Sequence, residues 1–382
     1  MTITSTGATS AVTATAGSSA GNRLADLLES AGLTGRGGAA FSTATKLRSA
    51  LTHDADVIVN ACDGELGAAK DAWVVEHHLD ELRRGADLLG RRVTVAAHRE
   101  TPTARRIAAA GLALLEVPHR YVSSEESALV SLAHGGLARP VTKGVPISLG
   151  SRDARGRRMR PTLVLNAETV WRVAQIEALG PDWFRSQGTF DEPGPRLVAV
   201  GGAVVRPGVV QTSAGVSLDD LVAAAGGFSG RPVALGIGGL GGGWLTTTEA
   251  DGATWSRGDL AAYGLRVGPG IVSVLDDTGC PLAHVSATLT YAAGESAGQC
   301  GPCMFGVPAV ADDMARLAAG TADRETLKRL HGRLGLLPGR GACRFPDGVA
   351  GYAGSALRAF APEVAAHLAG RCDVEGRRRR VR

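Results

Sequence analysis

Aromatic side chains make up only 4% of this 382-residue chain, and cysteines number six. Few aromatics argue against a nucleic-acid interface, which needs a basic face with stacking rings. Six cysteines in so long a chain are too sparse for a disulfide framework, so the thiols are expected to be reduced and the protein cytoplasmic. No apolar run reaches the ~20 residues that span a bilayer, so any membrane link is expected to run through partners. The opening MTITSTGATSAVTATAGSSAGNR has neither the basic nor the apolar region of a signal peptide and reads as a disordered leader, residues 1–22. Neither charge sign dominates: Lys and Arg total 41 against 37 Asp and Glu, a formal +4. Much of that excess lies in EGRRRRVR, read as a solvated basic tail over 373–382.

Glycine, by contrast, is abundant at 53 residues, without a collagen period, which points to many backbone-lined loops. The length suits two or three domains. The first stretch alternates strand and helix signals. NRLADLLESAGL is helical up to Gly32, ADVIVNA a strand, residues 68–89 a helix, RRVTVAAH a strand, TPTARRIAAAGLALL a helix and RYVSS a strand end. Such alternation predicts a doubly wound α/β layer on a parallel sheet, with ligands beyond the carboxyl ends of its strands. From about 194 to 277 the pattern becomes β-rich, with one helix capped by Ser217 and stopped by Gly226-Gly227. Beyond 284 four stretches carry helical spacing and suit a small bundle.

Several segments carry chemistry. In LTGRGGAAF, Gly35, Gly37 and Gly38 permit close backbone approach to an anion, with Lys46 within reach; a plain tight turn is the alternative. NACDGELGAAKD follows a strand and suits ribose or ring-edge contacts, or simply an acid-rich helix start. In YVSSEESAL, Glu125 and Glu126 open a helix with Ser123 or Ser124 as cap, and PTLVLNAETVW runs from strand to turn at Asn166. Cys300 and Cys303 form a C-x-x-C, followed 40 residues later by Cys343. That set suits an iron–sulfur cluster or zinc; a redox dithiol fits less well, because the context is helical. Cys280, His331, His367 and Cys372 are candidate fourth ligands, and Cys62 reads as a small buried residue.

Taken in order, these segments resemble the NADH-binding flavoprotein (F-type) subunit of respiratory complex I and related NAD-linked hydrogenase and formate dehydrogenase subunits. GRGGAAFSTATKL meets the family's G-R-G-G-A-G-F-P-T-G-x-K-W, and NACDGELGAAKD meets N-A-D-E-G-E-P-G-x-x-K-D. YVSSEESAL meets Y-x-x-G-E-E-T-A-L, RPTLVLNAET meets R-P-T-x-x-N-N-V-E-T, and ESAGQCGPC meets E-S-C-G-Q-C-x-P-C. The resemblance implies a Rossmann-like FMN- and nucleotide-binding α/β domain (23–193), a β-grasp (SLBB-like) domain (194–283) and a C-terminal four-helix iron–sulfur domain (284–372). It implies that Gly35, Arg36, Gly37, Gly38 and Lys46 cradle the FMN phosphate, and that Asn60, Asp63, Tyr121, Asn166 and Thr169 contact the flavin. Glu65 would help place the nicotinamide nucleotide, Glu125 and Glu126 would lie near the ring edge, and Phe41 would stack on the adenine. Cys300, Cys303 and Cys343 would hold a [4Fe–4S] cluster.

The departures bear on that picture. Ala297 stands in place of the first cluster cysteine, leaving a cluster ligated by three cysteines or a [3Fe–4S] centre. Ser124 replaces a glycine beside the flavin, Leu165 an asparagine, Asp63 a glutamate and Leu66 a proline, and further adenine-stacking aromatics are missing. The expected function is therefore an oxidoreductase of NADH-dehydrogenase type. It passes electrons from NAD(P)H through FMN to an iron–sulfur cluster and on to other redox subunits or a ferredoxin. Two alternatives stand beside it: a cluster-carrying electron-transfer subunit that no longer oxidises NADH, and a zinc-stabilised scaffold.

Overall fold

The computed structural model describes residues 9–90, 92–142, 144–153, 156–372 and 374. In chain order its first part runs α1 (Thr9–Ala31), α2 (Thr43–Thr52), β1 (Asp56–Asn60), α3 (Lys70–His77), α4 (Leu79–Leu89), β2 (Val93–His98), α5 (Pro102–Ala109) and β3 (Leu114–Val117). It continues with α6 (Glu126–Ala133), β4 (Ser151–Arg152), β5 (Arg158–Met159), β6 (Thr162–Asn166) and α7 (Ala167–Arg185). The order β3-β2-β1-β6 is parallel throughout. Alternate residues of β1 serve opposite faces, Val57 and Val59 packing into one core and Ile58 into another. A strand buried on both faces reads as an unbroken apolar run, as DVIVN does.

Four local expectations change. Helix α1 reaches back to Thr9, so residues 9–22 of the expected disordered leader are helical; residues 1–8 lie outside the described residues. Its buried stripe of Leu24, Ala25, Leu28 and Ala31 anchors the helix, and each residue added beyond a formed turn needs no new nucleus. The stretch 68–89 is two helices, parted at His78. The helix beginning at Pro102 stops at Ala109, and Leu114–Val117 joins the sheet as β3. RYVSS is not a strand end: Tyr121–Ser124 is a 3-10 turn in which Ser123 Oγ donates to the carbonyls of Pro118 and Arg120. Local side-chain bonds of that kind compete with a strand ladder.

A five-stranded sheet follows, built from β7 (Pro195–Gly202), β8 (Gly208–Ser213), β9 (Pro232–Ile237), β10 (Gly243–Thr246) and β11 (Ile271–Asp276). Its order is β10-β9-β11-β7-β8, with β7 and β11 parallel and the other pairs antiparallel. Ser217 caps α8 (Leu218–Ala224) as expected. Two short helices were not anticipated: α9 (Thr247–Ala250), closed by a Thr246–Glu249 capping box, and α10 (Arg257–Ala262), capped by Ser256.

The remainder is helical: α11 (Pro281–Glu295), α12 (Val307–Ala318), α13 (Arg324–Leu336), α14 (Phe345–Ala359) and α15 (Ala361–Leu368). A π-helical turn, Pro302–Gly306, leads into α12. The last expected helix is two, broken at Phe360, because Pro362 occupies the first turn of α15. Trp244 of β10 packs against Tyr352 and Phe360, joining sheet and helices. Apart from residue 374, the expected basic tail lies outside the described residues.

Candidate functional site

Asn60 and Asn166 end the neighbouring strands β1 and β6 and face each other in register. The carboxyl edge of a parallel sheet is where ligands bind in such folds. The glycine loop arches over this edge. Arg36 N donates to Thr169 Oγ1 at 2.9 Å, and Gly35 N donates to Phe41 O at 2.9 Å. Gly37 passes close to Asn166: a Cβ there would lie 2.6 Å from Asn166 Oδ1 and would force that side chain to move. Gly38 sits at φ +101°, where only glycine is comfortable. The backbone N–H groups of Gly37, Gly38 and Ala39 make no hydrogen bond among the described residues. Unsatisfied amides at a glycine turn form a cradle for an anion, so the loop fits a flavin phosphate.

The side chains beside the loop divide into those that face this edge and those that turn away. The Arg36 guanidinium is buried and turned away, donating to the carbonyls of Pro193 and Pro195. Burial, then the nearby Arg196 charge, lowers its pKa to about 9. It lines a cavity of about 300 Å3 between the glycine loop and the five-stranded sheet. Lys46 Nζ reaches Glu126 Oε1 at 3.0 Å and the Val164 carbonyl at 3.4 Å. Phe41 is 52% exposed, which leaves its ring open to a planar partner.

The loop after β1 is held from several sides. Asn60 Nδ2 donates to the Ser124 carbonyl at 3.0 Å, and its Oδ1 accepts from Cys62 N at 3.1 Å. Asp63 caps α3, accepting from Asp71 N at 3.1 Å and Ala72 N at 2.7 Å. Burial and the Asp71 charge lift its carboxyl to about 7. Lys70 is buried between Asp71 (2.7 Å) and Glu168 (3.3 Å). Burial opposes its charge, but those carboxylates hold its pKa above the usual lysine range. Glu168 Oε1 in turn accepts from Leu197 N, so this ionic group ties α3 and α7 to β7. Cys62 is buried, and burial pushes its thiol far up.

Glu65 does not point into open space. Its carboxylate accepts from Leu66 N (2.9 Å), Leu240 N (2.8 Å), Gly241 N (3.2 Å) and Tyr121 Oη (2.5 Å). Burial raises its pKa despite these donors. Glu125, not a serine, caps α6, accepting from Ser127 N and Ala128 N. Ser124 covers Gly64: a Cβ there would lie 1.9 Å from Ser124 Oγ.

Tyr121 connects this edge to the cysteines. Its N–H donates to Glu295 at 2.7 Å, its ring lies 5.2 Å from that of Phe345, and Cys343 is among the groups that oppose its ionisation. Cys300 hydrogen-bonds the buried Cys303, and Cys343 lies close enough to disfavour its ionisation. Burial, followed by these two thiols, pushes Cys303 up to about 12. The three cysteines thus neighbour one another in the helical core, and none of the six cysteines is in a disulfide. Ala297, in the slot of the missing ligand, turns its N–H toward Cys303 and packs in the same core. One buried and two half-buried thiols with a methyl group at the fourth position fit a cluster with one iron unligated by cysteine. None of the candidate fourth ligands joins them. Cys280 precedes α11 and Cys300 follows it, about 22 Å apart along a 15-residue helix. His367 and Cys372 lie with Cys280, and His331 is exposed.

Three parts of the site were not read from the sequence: the buried Lys70–Asp71–Glu168 group, Glu295 as the acceptor for Tyr121, and Phe345. The motif spacing had Lys70, Asp71 and Glu168 in view, but only the fold brings them together.

Two family models match. Residues 28–175 match the Nuo51 FMN-binding domain, and 283–367 match the NADH-ubiquinone oxidoreductase-F iron–sulfur binding region. The F 2 subunit of the NADH-quinone oxidoreductase of Rhizobium meliloti is 28% identical over 380 residues, covering 91% of this chain and 89% of the relative. The HndC subunit of the NADP-reducing hydrogenase of Solidesulfovibrio fructosivorans is also 28% identical, covering 90% and 75%. Among solved structures, an NAD+-reducing [NiFe]-hydrogenase in the H2-reduced state matches with a TM-score of 0.77 and 30% identity. That match covers 91% of this chain, which spans 62% of the hydrogenase chain. With a parallel α/β sheet under a glycine loop, three neighbouring thiols and both regions matched in order, the chain is similar over most of its length to the F-type flavoprotein subunits of complex I and NAD-linked hydrogenases.

Proposed function

We propose that this chain is an electron-transfer subunit that takes electrons from NAD(P)H through FMN to an iron–sulfur cluster and passes them to a partner redox subunit or a ferredoxin. The single observation that carries the reading is the proximity of Cys300, Cys303 and Cys343 to one another behind Tyr121, which itself contacts the loop after β1. When bound, FMN supplies the exchange between a two-electron hydride and single electrons, and the cluster supplies a one-electron carrier. The protein's part is positional. The open amides of Gly37, Gly38 and Ala39 receive the phosphate, with Lys46 beside them. Asn60, Asn166 and Thr169 frame the ring side, Phe41 offers a face to adenine, and the Tyr121–Phe345 contact excludes water between the two centres. In this reading residues 23–193 form the flavin unit, the sheet of 194–283 a β-grasp (SLBB-like) unit, and 284–372 the cluster unit. No described helix is long and apolar enough to cross a membrane, so membrane association would go through partners.

A second reading, a cluster subunit that has given up NADH, draws support from Glu65 and Ser124. Backbone amides and Tyr121 occupy the Glu65 carboxylate, and Ser124 fills the space over Gly64. The deciding experiment is anaerobic addition of NADH to protein reconstituted with FMN, iron and sulfide. Flavin bleaching followed by a paramagnetic cluster signal supports the first reading. Reduction by dithionite but not by excess NADH supports the second. Zinc without iron or flavin in the purified protein would remove both.

A further inference from the structure

We propose that Cys280, His367 and Cys372 form a second, mononuclear metal site of the zinc class, separate from the three-thiol cluster site. Their ligand atoms all lie within 4.8 Å of one another. Cys280 Sγ is 3.4 Å from His367 Nε2. Bonds of about 2.3 Å to sulfur and about 2.0 Å to nitrogen, at a tetrahedral angle, place such a pair about 3.5 Å apart. The sulfur and nitrogen therefore already stand at the separation a zinc ion would impose.

The surroundings prepare each ligand. His367 is buried, and its Nδ1 is 3.1 Å from the Leu317 carbonyl. A carbonyl only accepts, so Nδ1 carries the proton and the Nε2 lone pair faces the thiols, the tautomer a metal needs. Cys280 precedes the first turn of α11, where the N–H groups of Leu282 and Ala283 turn toward its sulfur. Cys372 approaches from beyond α15 and hydrogen-bonds Cys280. Two thiolates and an imidazole suit Zn2+, and binding releases the two thiol protons to solvent. The cation and the two thiolates cancel in charge, which suits a site walled by a buried histidine. A fourth position remains for water or an exogenous ligand. The site would clip the end of the last helix to the junction between β11 and α11, about 22 Å along α11 from the cluster loop.

Cobalt provides the test, because thiolate-bound Co2+ is coloured. Protein carrying Cys300→Ser, Cys303→Ser and Cys343→Ser, freed of iron and kept reduced, is titrated with Co2+ under anaerobic conditions. The expected result is a thiolate-to-cobalt charge-transfer band that Zn2+ displaces. Adding Cys280→Ser and Cys372→Ser should abolish the band, with the circular dichroism spectrum checking the fold. His367→Gln on the same background should weaken Co2+ binding at least 10-fold. In otherwise unaltered protein, Cys280→Ser should lower bound zinc while leaving the iron content unchanged. A band that survives loss of both Cys280 and Cys372 overturns the proposal, as does a Cys280–Cys372 disulfide in protein purified under reducing conditions. So does the absence of any band while both thiols react with an alkylating reagent.

Discussion

Ala297 is the residue at which this chain departs most sharply from its family pattern. Its backbone N–H is turned to Cys303, and its methyl group fills the place of a ligand. Ala297→Cys should supply a fourth thiolate; the reconstituted variant is expected to hold four irons per cluster and to lose its visible absorbance in air more slowly than the parent. Cys300→Ser or Cys343→Ser should abolish that absorbance. Asp63 makes a second residue-scale case. Its folded-state pKa of about 7 exceeds the usual 3.8, so its protonated form favours the fold. That stability is present below pH 3.8 and is lost as the pH rises through about 7. Asp63→Asn should therefore flatten the fall of melting temperature between about pH 4 and 7, although it gives up one of the two amide contacts that cap α3.

Between elements, two contacts decide how the crevice is built. The turn Tyr121–Ser124 lies directly on Gly64. Gly64→Ala should overpack this contact and cost about 1–3 kcal/mol, read from denaturant unfolding. Ser124→Gly in the same chain should recover most of that loss, and by opening the flavin side it should also tighten FMN binding. Full recovery in the absence of any FMN effect would mean that the serine is merely structural. The second contact is Lys70 between Asp71 and Glu168, which fastens α3 and α7 to β7. Lys70→Met leaves buried carboxylates without their cation and should destabilise the fold by about 3–5 kcal/mol.

Across the whole molecule, the helical part meets the α/β part through few but well-placed contacts. Glu295 accepts from Tyr121 N and Arg120 Nε, Arg120 Nη2 donates to the Gly294 carbonyl, and Gln299 Nε2 donates to the Pro140 carbonyl. The Glu65 carboxylate likewise pins the β9–β10 connection to the loop after β1. Glu295→Ala should raise hydrogen exchange of residues 120–124 and 296–300 without changing the iron content. In the proposed function it should also slow cluster reduction by NADH more than flavin reduction. Equal slowing of both steps would show that this contact does not set the spacing of the two centres.

Local pattern was enough to fix the parallel α/β layer, the β-rich middle, the helical end and the three thiols. Apolar runs such as DVIVN, a serine before LDDLVAA and a C-x-x-C between helices each carry their meaning within a few residues. Contacts between distant segments were not legible in this way. Nothing in the loop after β1 announces that Glu65 is held by Tyr121 and the Leu240–Gly241 amides, 56 and 175 residues or more away. Cys280, His367 and Cys372 have no telling spacing, yet the fold gathers them because α11 and α15 pack in one bundle. Sequence alone determined which groups were available and which local conformations they favour. Tertiary structure alone decided which of those groups meet, because side chains far apart in the chain find one another only when burial of the cores fixes the elements in place.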